Sequence, residues 1–319
     1  MTVFCIILSV AILFFVITYA VYRICFGEYR MKQNCTMESL MPVGEEYVGY
    51  EDVIMRGIQR VWDAPYEMVE VISHDGLKLR ARYYHRTDGA PVVLMMHGYR
   101  GNIFRDGNGI FSFSRKYGFN LLMPDQRAHG LSEGKTIAFG IKERMDCKTW
   151  AEYLVARFGE EQQIMLCGLS MGAATVLMAA DVGLPVNVKG IMADCGFSSP
   201  KEILCSVMKS LKLPSKIVYP VARLGARLFG GVDLEEASAV ESVKHSRIPI
   251  LLLHGEADNF VPCYMSLACR EACSSEVELL TVPGAGHGMS YCLDAVGYEA
   301  AVDRLFVRAF GKDACKEIE

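Results

Sequence analysis

The chain has 319 residues, a formal net charge of −4 and 22% charged residues, with lysine and arginine scattered along it. That dispersed, slightly acidic balance excludes a nucleic-acid footprint, while 51% hydrophobic residues suit a buried core in one large domain or two small ones. The 12 cysteines include no Cys-x-x-Cys pair, and several stand in apolar runs as Cys167 does, so they read as reduced packing residues and not as a disulfide frame.

The chain begins with an apolar run. Val3 to Tyr22 carries no charge and is long enough, as a helix, to cross the ~30 Å hydrocarbon core of a bilayer. Only Met1 and Thr2 precede it, and Thr18-Tyr19-Ala20 is a poor cleavage site, so an uncleaved anchor over 1–24 is expected in place of a signal peptide. Arg23, Arg30 and Lys32 follow, against the acid Glu28, which predicts a single-pass membrane protein with the rest of the chain on the cytoplasmic side. Cys25 and Cys35 stand near the membrane, where acylation is feasible. Residues 25–62 form a connector whose second half, from Tyr47 through Ile54 and Ile58 to Trp62, repeats near helical spacing and predicts a packing helix. A chain starting near Glu45 is therefore expected to be soluble and active.

A domain over 63–319 follows. Strands are predicted at 68–72 and 77–84, turned by His74-Asp75-Gly76, then at 92–96, 119–123, 163–167, 188–193, 249–253 and 277–282. Helices are predicted at 104–117, 141–158, 173–180, 264–272 and 293–310. Short, continuously apolar strands alternating with helices imply a mostly parallel sheet covered by helices on both faces. Residues 197–246 break the alternation: they hold helical segments punctuated by Pro200, Pro214 and Pro220, and predict a helical cap above the carboxyl ends of the strands. Its surplus of apolar side chains (Ile203, Val207, Met208, Ile217, Val218, Leu224, Leu228) is expected in part to face a pocket below.

The chemistry concentrates at Gly168-Leu169-Ser170-Met171-Gly172, between an apolar strand and an Ala-rich helix. A G-x-S-x-G run in that context is a nucleophile elbow: the turn is too tight for bulky neighbours, and the serine sits exposed at a helix N-terminus. A serine hydroxyl needs a base. Of seven histidines, His287 follows the last strand inside Pro283-Gly284-Ala285-Gly286-His287-Gly288, late enough for the order serine, acid, histidine. His97, His129 and His254 read as packing or hydrogen-bonding residues. The acid that orients the imidazole is expected to be Asp258, straight after a strand, with Asp194 as its rival and Glu256 a weaker one. The Met171 amide, and the Tyr99 amide in His97-Gly98-Tyr99-Arg100-Gly101, are the candidate oxyanion donors.

In order, these pieces, together with Asp125-Gln126-Arg127-Ala128-His129-Gly130-Leu131-Ser132, resemble the α/β-hydrolase superfamily, in its bacterial esterase-like and serine aminopeptidase-like branch with a helical cap. The resemblance covers about residues 65–310 and leaves the N-terminal anchor outside it. It implies that the Asp125 segment is structural and that the chemistry needs no cofactor and no metal. The expected activity is a serine hydrolase acting on a small-molecule carboxylic ester, a lipid ester or thioester included. An aminopeptidase or amidase, and a non-catalytic binding protein of the same fold, are the alternatives; the intact set of Ser170, Asp258 and His287 argues against the last.

Overall fold

The computed structural model describes residues 1–30, 36–44 and 47–315. Lys32 and Cys35, on which part of the orientation and acylation readings rest, lie outside them. The eleven cysteines among the described residues are all free.

The strands are β1 (Glu67–Ile72), β2 (Lys78–Tyr84), β3 (Val92–Met96), β4 (Asn120–Pro124), β5 (Ile164–Leu169), β6 (Val188–Asp194), β7 (Ile250–Gly255) and β8 (Val277–Val282). They form one eight-stranded sheet in the order β1-β2-β4-β3-β5-β6-β7-β8. β2 runs antiparallel to β1 and β4, and every other neighbouring pair is parallel. The middle strands β3, β4 and β7 are buried along their whole length, which is why they read as continuous apolar runs without alternation.

Around the sheet lie α1 (Thr2–Phe26), α2 (Glu51–Trp62), α3 (Ile103–Asp106), α4 (Asn108–Lys116), α5 (Glu143–Phe158), α6 (Met171–Met178), α7 (Pro200–Ser210), α8 (Ser215–Gly230), α9 (Ala239–Val243), α10 (Tyr264–Ala272), α11 (Ser290–Leu293) and α12 (Ala295–Phe310). One face is covered by α5, α6 and α10 through Trp150, Leu154, Val176 and Met265. The other is covered by α2, α4 and α12 through Ile58, Val61, Phe111 and Phe306. The helix expected over 104–117 is broken at Gly107, and the last one at Asp294. Pro220 does not punctuate the cap but lies inside α8; burial of Tyr219, Ala222 and Ala226 around it offsets the lost backbone bond.

α1 is the candidate membrane span. Its 25 residues reach about 37 Å at 1.5 Å per residue, and its first two-thirds are exposed. The last part belongs to the folded domain. Thr18, Tyr22 and Phe26 are buried, and Gly225 of α8 packs against Thr18 and Tyr22. The Phe229 ring lies 5.2, 5.1 and 5.5 Å from those of Phe15, Tyr19 and Tyr22. Beyond the helix, the Ile137 amide donates to the Phe26 carbonyl and the Tyr29 amide to Ala128, each at 2.8 Å. Arg30 donates to the carbonyls of Gly130, Ser132 and Gly134. Residues 22–30 therefore complete the core. A chain starting near Glu45 loses them, and loss of the fully buried Phe26 side chain alone removes packing worth about 3–5 kcal/mol.

Candidate active site

Ser170 stands between β5 and α6 with φ 54° and ψ −114°, a conformation that side chains other than glycine rarely adopt. Close packing enforces the turn: a Cβ on Gly168 would overlap the Gly172 backbone, and one on Gly172 would overlap the Met96 carbonyl of β3. The Ser170 amide donates to the Asp194 carbonyl at 2.8 Å, tying the elbow to the neighbouring strand.

His287 Nε2 lies 3.0 Å from Ser170 Oγ, and His287 Nδ1 lies 2.6 Å from Asp258 Oδ2. The sequence-predicted trio is thus brought together from β5, the loop after β7 and the loop after β8, across separations of 117 and 29 residues. Asp258 is buried, yet its pKa is lowered to about 2. Burial opposes that charge; hydrogen bonds from His254 and His287, and the Val261 amide, outweigh it. Its second oxygen accepts from the amides of Phe260 at 2.9 Å and Val261 at 2.8 Å, which fixes the carboxylate plane toward His287. The rival Asp194 is differently engaged: its Oδ2 accepts from Tyr298 at 2.9 Å.

Three of the other histidines, His97, His129 and His254, hold backbone. His97 Nε2 accepts from the Gln126 amide at 3.0 Å, and His129 Nε2 from the Arg100 amide at 3.1 Å. His254 bridges Ser266 at 2.7 Å and the Val261 carbonyl at 2.8 Å. In the Asp125 segment, Asp125 accepts from the Leu131 amide, and buried Arg127 pairs with Asp75 and Asp146.

Among the described residues, neither the Tyr99 nor the Met171 amide takes part in a backbone or side-chain hydrogen bond, so both remain candidate oxyanion donors. The loop carrying Tyr99 is held from two sides that sequence reasoning missed. Buried Asp106 accepts from the Gly98 amide at 2.8 Å and is itself paired with Arg105. The Tyr99 hydroxyl donates to the Cys25 carbonyl at 2.9 Å, and Arg100 Nη2 to the Ile24 carbonyl at 2.8 Å. The end of α1 thus grips the loop beside the candidate nucleophile. Phe260 was missed too; its ring packs edge-on against His287 at 5.1 Å.

Ser170 and His287 open on a cavity of about 290 Å³, which Tyr99, Asp194 and Tyr298 also line. The expectation that the cap faces this pocket is corrected here. None of the seven apolar cap residues lines it; the connector residues Pro42, Val43 and Tyr47 do. Ile203 and Met208 are spent on the core, and α8 on packing with α1.

This sheet and the turn at Ser170 have the architecture of the α/β-hydrolase fold. Residues 91–216 match the family model described as the alpha/beta hydrolase fold, and the chain has that fold. It is 26% identical to the uncharacterised protein YqkD of Bacillus subtilis over 79% of this chain and 85% of that one. It is 24% identical to an uncharacterised membrane protein of Saccharomyces cerevisiae over 70% of this chain and 74% of that one. Among solved structures, the esterase Pf2001 of Pyrococcus furiosus superposes with a TM-score of 0.67 at 22% identity, covering 89% of this chain and 98% of its own. An acylaminoacyl peptidase of Pyrococcus horikoshii does so with 0.56 at 16% identity, covering 80% and 43%.

Proposed function

We propose that the protein is a membrane-anchored serine hydrolase that cleaves carboxylic esters, lipid esters or thioesters included, through an acyl-enzyme on Ser170. The observation that carries this reading is the unbroken line from Ser170 Oγ through the His287 ring to Asp258, opening on a cavity. In this tautomer Nδ1–H donates to Asp258, so Nε2 is free to take the Ser170 proton as Oγ attacks the carbonyl. The amides of Tyr99 and Met171 receive the charge that develops on the carbonyl oxygen. His287 then returns the proton to the leaving alkoxide, and a water activated in the same way releases the acid.

Esterases and peptidases share this fold, so fold alone does not choose between ester and amide. A panel of p-nitrophenyl esters of increasing chain length, run beside aminoacyl anilides, decides. Turnover of esters with anilides untouched is the expected result; anilides as the better substrates would replace the esterase by an aminopeptidase.

The anchor reading rests on α1, with the catalytic domain on the cytoplasmic side. The full-length protein is expected to stay with membranes through high-salt and carbonate washes. Recovery in the soluble fraction would overturn the anchor. A soluble form that keeps activity must retain residues 22–30, because Tyr22 and Phe26 belong to the core.

A further inference from the structure

The cap carries more exposed apolar surface than the pocket or the core uses. Three sides of α8 have evident partners. Tyr219, Ala222 and Ala226 are buried in the core, Gly225 and Phe229 meet α1, and Arg223 and Arg227 pair with Asp233. The fourth side is Ile217, Val221, Leu224 and Leu228. At 3.6 residues per turn these four fall within about 60° of one another, in the sector next to Gly225 and Phe229. Ile217 is 69% exposed and Leu228 59%, while Val221 and Leu224 are half-buried. The turn before α8 adds exposed Leu211 and Leu213.

Two observations say what covers this face. The first is its place beside α1. The uncharged run over residues 3–22 is about 30 Å long as a helix, the thickness of a hydrocarbon core. The Phe229 ring lies 5.2 and 5.1 Å from the rings of Phe15 and Tyr19, inside that run. On the sides of α1 that α8 leaves open, Val16, Ile17 and Ile24 stay exposed. Lipid that meets α1 there also meets the end of α8 that carries Leu228. The second observation is charge. Residues 203–232 contain no acid. Lys209, Lys212 and Lys216 are exposed and make no ion pair among the described residues. An apolar helix face bordered by unpaired lysines suits the surface of an anionic bilayer.

We infer that the cap makes a second membrane contact: Ile217, Val221, Leu224 and Leu228 of α8, with Leu211 and Leu213, lie in the surface of the bilayer that α1 crosses, and Lys209, Lys212 and Lys216 meet its anionic headgroups. The folded domain is thereby held against the membrane and does not swing on a tether. The inference rests on α1 being the anchor.

The test replaces Leu211, Ile217 and Leu228 singly by tryptophan in the full-length protein, reconstituted in vesicles of phosphatidylcholine with phosphatidylglycerol as the minor lipid. All three positions are exposed, so folding is not at stake, and the wild type with its two tryptophans sets the background. Lipids brominated at successive acyl carbons quench a tryptophan at their own depth. Val186→Trp, in the exposed turn before β6, is the control. The three cap variants are expected to be quenched at a depth of about 5–10 Å into the headgroup and acyl boundary, and Val186→Trp not at all. Leaving out phosphatidylglycerol, or replacing Lys209, Lys212 and Lys216 together by glutamine, should lower the quenching of Leu211→Trp and Ile217→Trp. Quenching at all three positions no stronger than at Val186→Trp overturns the membrane contact; if acrylamide in the water also fails to reach them, a protein surface covers the face instead. Quenching that ignores both phosphatidylglycerol and the lysines overturns the headgroup contact. A carbonate wash of the same vesicles separates this inference from the anchor. Protein that stays with the lipid while its cap variants go unquenched keeps the anchor and loses the cap contact, and protein that washes off overturns both.

Discussion

Replacing Ser170 by alanine is expected to abolish fluorophosphonate labelling and to lower kcat on any ester the protein cleaves by about 10⁶-fold, the loss that removal of the serine causes in a serine protease. The fold should survive, because the turn is set by Gly168, Gly172 and the Ser170 amide, not by the hydroxyl. The hydroxyl's described hydrogen bond is to His287 Nε2. Residual binding of substrate with no turnover is the expected phenotype. Labelling that persists in Ser170→Ala would show that another serine reacts.

The second large effect is at the acid. Asp258→Asn is expected to lower kcat by about 10⁴-fold with the protein still folded. The geometry gives the reason. One carboxylate oxygen accepts from the Phe260 and Val261 amides, so an asparagine there keeps its oxygen on those donors and turns its NH₂ toward His287. Nδ1 must then accept, the proton moves to Nε2, and Nε2 can no longer take the Ser170 proton. Asp194→Asn removes no partner of the imidazole, because Asp194 bonds to Tyr298. Should Asp258→Asn prove mild and Asp194→Asn abolish turnover, the acid would be Asp194.

Where the signal was local, sequence and structure agree. The glycines around Ser170 report a turn whose crowding is contained in five residues, and the apolar runs of β3, β4 and β7 report burial on both faces. What could not be read depended on distant parts of the chain meeting. Asp106 looks like a surface acid beside Arg105, and only the approach of Gly98 makes it a loop holder. Tyr298 lies on a helix whose period explains it as core; its bond to Asp194 spans 104 residues. The cap's apolar surplus was visible, but not its destination. A hydrophobic side chain signals burial without naming the surface it meets, and here α8 meets α1 while the connector reaches the pocket. The apolar run of α1 likewise concealed that its last turns are domain core, since membrane and core select the same side chains.

The central claim is covalent chemistry at Ser170, and trapping the intermediate tests it most directly. The full-length protein is mixed with a p-nitrophenyl ester in excess, quenched in acid while turnover is in steady state, digested and weighed by mass spectrometry. The peptide containing Ser170 should carry the mass of the acyl group, and Ser170→Ala should carry none. Ester turnover with no adduct on that peptide, or with the acyl group on another residue, would contradict the account.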